Sequence, residues 1–344
     1  MITEINIEEY LKLAADIPVI DVRSPVEFEK GHIPDAINIP VFSNEERAHV
    51  GTVYKQNSKE EAIKLGLEYV NPKLHFFIQR SFEVAPQGTV VVHCWRGGMR
   101  SHDFAAHLSR NGFKQIYLIN NGYKAFRNHV LNSFHEEVCL NIIGGYTGSG
   151  KTQILKFLES DGMQVIDLEK LANHKGSAFG KMENISQPTR EQFENDLFWQ
   201  WNKSDFSKPI WLEDESLNIG SVQLPVTLYE RMNTVPVFFI EIPKEERAKH
   251  LVNEYANADK TILSDAILKI SKRLGDLNTR KSLEFLDHDN FYEVAMLMLS
   301  YYDKSYLQVL SHRDQKKVFQ IKFDTTNHCK NASIIRDYIN RKQL

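Results

Sequence analysis

Val138-Cys-Leu-Asn-Ile-Ile-Gly-Gly145-Tyr-Thr-Gly148-Ser-Gly150-Lys151-Thr152 is an apolar run that breaks into a glycine-rich loop, and Gln153-Ile-Leu-Lys-Phe-Leu158 continues with helical spacing. The loop satisfies G-x4-G-K-S/T in full, in the strand–loop–helix setting that the motif requires. Gly145, Gly148 and Gly150 let the backbone wrap phosphate oxygens. Lys151 adds a point charge, and the Thr152 hydroxyl is suited to Mg2+. These residues predict a P-loop α/β domain and a diphosphate or triphosphate ligand. What is done with that ligand stays open.

Toward the C-terminus, strand-like runs at Met163–Leu168, Pro209–Leu212 and Val235–Ile242 are separated by longer intervening stretches, the arrangement of a mostly parallel sheet. Residues 244–311 are almost continuously helix-patterned, and a strand at Lys317–Phe323 and a last helix close the chain. Two strand ends carry acids: Glu213-Asp214-Glu215 and Asp167. A P-loop domain uses a carboxylate to orient Mg2+. Asp214 is the first choice and Asp167 the second, against the ordinary alternative of solvated acids at strand ends.

Toward the N-terminus, the pattern lapses into polar residues at 131–137, which reads as a linker. Before it, apolar runs at Ile17–Val22, Ala36–Val41, Thr89–His93 and Gln115–Ile119 alternate with helical spacing. The chain therefore divides into an α/β domain at 1–130 with a helical insertion at 42–82, and a P-loop domain at 138–344 with a helical region at 244–311. In the first domain, the strand Thr89-Val-Val-Val-His93 runs into Cys94-Trp-Arg96-Gly97-Gly98-Met-Arg100-Ser101, and a helix pattern follows. Successive N–H groups and a helix N-terminus make such a loop an anion cradle. Arg96, Arg100 and the loop N–H groups should lower the pKa of Cys94 and favour a nucleophilic thiolate. Gly97 and Gly98 are expected to supply turn conformations closed to other residues. A buried structural cysteine is the bland alternative; for Cys139, within an apolar strand beside Leu140, and Cys329, in a polar turn, the bland reading of a thiol without chemistry is the favoured one.

The full length of 344 residues suits about two domains. With 42% hydrophobic and 25% charged residues the composition is that of a globular chain, not a disordered one. The formal charge of −3 and the absence of a basic half mean that a polyanion partner must be held by a local patch. No apolar run approaches a membrane span, and the start of the chain is acidic where a leader would be basic. Three cysteines without metal-ligand spacing suit a reduced, cytoplasmic setting.

Lys269, Lys272, Arg273, Arg280 and Lys281 form a basic stretch, of which Lys272, Arg273, Arg280 and Lys281 are candidates to contact a nucleic-acid backbone. Arg313, Lys316 and Lys317 form a second cluster. Phe198-Trp-Gln-Trp201 offers rings for base stacking, although core packing is the simpler reading.

Asp21-Val-Arg23, Glu27-Phe28 and Gly31-His-Ile-Pro-Asp-Ala-Ile-Asn-Ile-Pro40 resemble the opening signature of the rhodanese domain, and Asn121-Gly-Tyr-Lys-Ala-Phe-Arg127 resembles its closing segment. Cys94 falls where that family keeps its persulfide-forming cysteine. The chain departs from common rhodaneses by one more residue between Cys and Arg and by the helical insertion. Rhodanese-related phosphatases also use Cys-x5-Arg. A fused phosphatase–kinase for a small molecule, an ATP-dependent tRNA sulfurtransferase and a nucleotide-gated RNA-binding module therefore stay open on the residues alone.

A rhodanese-like domain followed directly by a P-loop domain resembles the bacterial tRNA 2-selenouridine synthase family. So do His49-Val-Gly-Thr-Val-Tyr-Lys-Gln56, the stretch from Asp167 to Gly180, Gln187-Pro188 and Glu213-Asp-Glu-Ser216. The resemblance implies exchange of sulfur for selenium at the wobble 2-thiouridine of tRNA. It also implies selenophosphate and geranyl diphosphate as co-substrates, with no tightly bound cofactor, and an enzyme that supplies the selenophosphate.

Overall fold

In a computed structural model that describes residues 1–174, 186–255 and 259–342, the chain forms two units: Met1–Ser133 with Glu194–Trp199, and Phe134–Phe193 with Gln200–Leu344. In the first unit the order is β1 (Ile2–Ile5), α1 (Ile7–Leu13), β2 (Val19–Asp21), α2 (Pro25–Lys30), β3 (Ile37–Asn38), α3 (Asn44–Gln56), α4 (Lys59–Val70), α5 (Leu74–Val84), β4 (Thr89–His93), α6 (Met99–Arg110), β5 (Gln115–Ile119) and α7 (Gly122–Ser133). The strands form a parallel sheet in the order β1-β5-β4-β2-β3. Valines fill the centre of β4, and Val90, Val91 and Val92 are fully buried, as a parallel strand covered on both faces requires. The helical insertion is α3 to α5. Ser43 and Glu46 close a capping box that starts α3, and Phe77 of α5 enters the core against Phe104 of α6, ring centroids 5.4 Å apart.

The second unit contains β6 (Leu140–Gly145), α8 (Lys151–Ser160), β7 (Gln164–Val165), α9 (Leu168–Leu171), α10 (Arg190–Trp201, whose middle belongs to the first unit), β8 (Ile210–Glu213), β9 (Asn218–Ile219), β10 (Val222–Gln223), α11 (Val226–Met232), β11 (Val237–Glu241), α12 (Lys244–Tyr255), α13 (Lys260–Lys269), α14 (Ser271–Leu274), α15 (Asp276–Asp287), α16 (Phe291–Ser311), β12 (Val318–Lys322) and α17 (His328–Lys342). Its main sheet is parallel, in the order β12-β11-β6-β8-β7. The strand feeding the P-loop is therefore central, with its loop at a carboxyl-terminal strand end where ligands of such sheets bind. The helical region is α12 to α16, and it carries apolar clusters separate from the one around the sheet.

The boundary between the units, Ser133/Phe134, falls within the stretch expected as a linker, whose residues 134–137 are turn and coil. Residues 131–133 end α7, and Phe134 is fully buried with its ring edge-on to Trp201. Cys139 precedes β6 and is exposed rather than within a strand, and Cys329 is exposed in the first turn of α17 rather than in a loop turn.

Candidate functional site

Cys94 follows β4 directly, and the geometry around it separates carbonyls from N–H groups. The Cys94 and Trp95 carbonyls accept from the Tyr123 and Lys124 N–H groups of α7, at 2.9 and 3.0 Å. The loop carbonyls thus satisfy orphan donors at the start of a helix. On the sulfur side, the Gly98 N–H donates to Sγ at 3.4 Å, and the buried Ser101 hydroxyl lies 3.3 Å from it. The approach of α7 demands glycine twice. Gly97 has φ +60° and Gly122 has φ +53°, and a Cβ on Gly122 would stand 2.2 Å from the Cys94 carbonyl oxygen. Gly98, expected to share that role, has φ −105° and open space at its Cβ position, so its conformation does not depend on glycine.

Burial opposes ionisation of Cys94. The Ser101 hydroxyl, the Arg100 charge and the Gly98 and Arg96 N–H groups outweigh it and hold the thiol below its ordinary value. Arg96 acts here through its backbone, with the residue exposed. Arg100 does not stand open to an incoming oxyanion: its guanidinium pairs with Glu27 at 2.7 Å. Burial raises the Glu27 pKa, but Arg100, the Ser24 N–H and the charge of Arg47 overcome this and bring it to about 2. Beneath the loop, Asp21 and Arg23 form a fully buried ion pair at 2.6 Å, and the Arg23 guanidinium lies 3.8 Å from the centre of the Tyr123 ring. The Tyr123 hydroxyl in turn accepts from Asn195 at 2.8 Å. The signature residues Asp21 and Arg23 thus hold α7 in place, and α7 holds the loop.

In the second unit, Gly148 and Gly150 are left-handed, at φ +77° and +74°. Lys151 Nζ donates to the Gly145 carbonyl at 3.2 Å, and the Thr152 hydroxyl donates to Glu169 at 3.0 Å. Asp214 and Asp167, expected as the acidic partner, are engaged elsewhere. Asp214 is ion-paired with buried Arg313 and accepts from Tyr306 at 2.6 Å, and that hydroxyl itself accepts from the Gly145 N–H at 3.4 Å. It braces the loop from behind. Asp167 caps α9 by accepting from the Lys170 N–H at 2.7 Å. The acids that face the phosphate-loop side chains are Glu169 and Glu215. Burial and the charge of Glu169 push Glu215 up to about 8, against the attraction of Lys151.

Among the described residues no three His, Cys, Asp or Glu side chains form a metal-holding group. Mg2+ at a phosphate site ordinarily rests on one or two carboxylates plus phosphate oxygens. The Thr152 hydroxyl beside Glu169 and Glu215, with buried Glu213 Oε1 lacking a hydrogen-bond partner among the described residues, fits such an ion.

A family model described as the tRNA 2-selenouridine synthase AAA domain matches residues 138–335, and one described as the rhodanese-like domain matches residues 6–129. The tRNA 2-selenouridine synthase of Bdellovibrio bacteriovorus is 34% identical over 89% of this chain and 92% of its own length. That of Hydrogenovibrio crunogenus is 34% identical over 95% and 96%, and that of Nitrosomonas europaea 37% identical over 73% and 67%. The chain belongs to the tRNA 2-selenouridine synthase family.

Within this member of the family, Ser101, Gly122, Glu27, Glu169 and Glu215 lie in stretches that the sequence singles out but carry roles that it does not assign, and Arg247 is missed altogether. Arg247 is buried, pairs with Asp303 through both ends at 2.9 and 2.8 Å, and donates to the Thr147 carbonyl of the P-loop at 3.1 Å. Lys272, Arg273, Arg280 and Lys281 are all exposed on α14 and α15. The second basic cluster loses Arg313, which is buried against Asp214. Phe198 and Trp201 are buried core residues, which removes them as stacking platforms. Residues 175–180 of the family-like stretch that begins at Asp167 lie outside the described residues.

Proposed function

We propose that this chain is an enzyme that replaces sulfur by selenium at the wobble 2-thiouridine of tRNA. Selenophosphate is the selenium donor, and the exchange passes through S-geranylation by geranyl diphosphate. The observation that carries the reading is a buried thiol whose loop favours its ionised form, in a chain that also holds a complete P-loop and belongs to a family whose named members are tRNA 2-selenouridine synthases. Leaving-group chemistry supports two stages. The thiocarbonyl sulfur first attacks the geranyl carbon that carries the diphosphate, and diphosphate departs. Selenophosphate held at the Cys94 loop then adds through selenium at C2, and geranylthiol leaves in place of the far poorer sulfide. The Cys94 thiolate takes the phosphoryl group from selenium, to be cleaved by water to phosphate, which frees the selenocarbonyl.

The P-loop N–H groups and Lys151 suit the diphosphate, whose charge grows as the carbon–oxygen bond breaks. Mg2+, where bound, would rest on Thr152 with Glu169 and Glu215 and neutralise that charge. The Cys94 loop suits a tetrahedral anion such as selenophosphate, with Arg100 released from Glu27 to meet it. Modified-nucleoside mass spectrometry tests the assignment. Cys94→Ser should abolish selenium incorporation and leave geranylation, because a serine hydroxyl is not ionised near neutrality and cannot take the phosphoryl group from selenium. Lys151→Ala should stop geranylation while pre-geranylated tRNA is still selenated. Normal selenation by the Cys94 variant, or normal geranylation by the Lys151 variant, would overturn the corresponding role.

A further inference from the structure

The helical region of the second unit leaves an apolar cavity against the P-loop. Its two flanking clusters do not merge: Leu263, Val294 and Met298 belong to one, and Ala295 and Leu299, with Leu251 packed on them, to the other. Both draw residues from α16. Between them the centre of a water-sized sphere has about 60 Å3 to move, whereas a single water needs roughly 10–15 Å3 on that measure. Thr147 of the P-loop forms one wall. The next residue, Gly148, packs so closely on Leu251 that a Cβ there would stand 3.0 Å from its Cγ. Arg247, tied to Asp303, holds the Thr147 carbonyl and fixes this mouth of the cavity to the phosphate loop.

A phosphate on the loop therefore has a hydrocarbon-lined space beside it. A nucleobase placed there would meet mainly leucine, valine, phenylalanine and methionine side chains, with Thr147 and Tyr302 as the polar-bearing residues of the lining. It would leave most of its donors and acceptors unmet. An alkyl chain loses nothing and removes its own surface from water. We infer that the cavity between α12, α13 and α16 binds the hydrocarbon chain of an organic diphosphate whose phosphates lie on the P-loop, and that Ala295 and Met298 set the chain length accepted. This rests on the reading of the P-loop as the geranyl diphosphate site and adds where the chain goes.

Calorimetric titration of the full-length protein with inorganic diphosphate, geranyl diphosphate and farnesyl diphosphate tests it. Each buried methylene strengthens binding roughly fourfold, so the wild type should prefer geranyl to inorganic diphosphate by on the order of tenfold or more. Ala295→Phe should erase that preference while inorganic diphosphate binds as before. Met298→Ala lengthens the cavity and should raise the affinity for farnesyl relative to geranyl diphosphate, which keeps the test decisive should the first variant not fold. If the wild type prefers geranyl diphosphate and folded variants keep its ratios, the chain lies elsewhere and the proposed function stands. If the wild type shows no such preference, both the cavity assignment and the geranyl reading beneath it are wrong.

Discussion

Ser101 has one hydroxyl proton and two acceptors within reach, the Gly98 carbonyl at 3.1 Å and Cys94 Sγ at 3.3 Å. With a neutral thiol, the proton belongs on the carbonyl and the S–H points at the serine oxygen. With a thiolate, the proton turns to sulfur. A hydrogen bond to a charged group is worth about 1.5–3 kcal/mol, so Ser101→Ala should raise the Cys94 pKa by roughly 1–2 units. The thiolate ultraviolet absorbance against pH, with the Cys94→Ser signal subtracted, measures it; an unmoved titration would mean that Ser101 does not stabilise the thiolate. Glu215 yields a second prediction. The folded group titrates at about 8 against an ordinary 4.5, so between those values the unfolded chain has released a proton that the folded chain keeps. Stability therefore falls as pH rises through that window. Glu215→Gln should flatten this decline in urea unfolding, and a slope equal to the wild type's would contradict the placement. Cys94, Lys151 and Thr152 are legible in the sequence because their motifs are local. Ser101 sits in the quoted loop, but nothing in a linear reading says that it turns toward the sulfur. Glu169 and Glu215 meet only after α9 and β8 are folded beside the P-loop. A linear reading therefore favours Asp214, whose adjacent position in the chain turns it to Arg313.

At the scale of elements, long apolar runs are plain in the sequence and their ends are not. Thr89–His93 and Gln115–Ile119 are strands from end to end, whereas Met163–Leu168 shortens to β7 because Asp167 leaves the strand to cap α9. The middle of α10 escapes a linear division into domains. Arg127 pairs with Glu194, and the Phe126 ring meets Phe198 edge-on at 5.7 Å, so a segment far along the chain belongs to the first unit. No periodicity announces such a pairing. The exposed basic residues of α14 and α15 are proposed to hold the tRNA backbone. Neutralising Lys272, Arg273, Arg280 and Lys281 together should weaken tRNA binding and lower the slope of log affinity against log salt by about 0.7–0.9 for each tRNA phosphate left unneutralised. Turnover at saturating tRNA should change less. Filter binding across a salt series reads both quantities, and an unchanged slope would place the tRNA on another surface.

For the molecule as a whole, the proposed function has two loops handle the same nucleotide in succession, each at the carboxyl-terminal end of a central parallel strand. Their separate chemistries impose an order. Sulfur leaves C2 readily as geranylthiol and poorly as sulfide, so the P-loop reaction has to precede the Cys94 reaction. The most direct measurement is a time course of wobble nucleosides by mass spectrometry, with the wild-type protein supplied with 2-thiouridine tRNA, geranyl diphosphate and selenophosphate together. Geranylated thiouridine should rise first and be consumed as selenouridine appears, and omitting geranyl diphosphate should suppress both products. Selenouridine formed at the full rate without geranyl diphosphate and without a geranylated precursor would contradict the two-stage exchange.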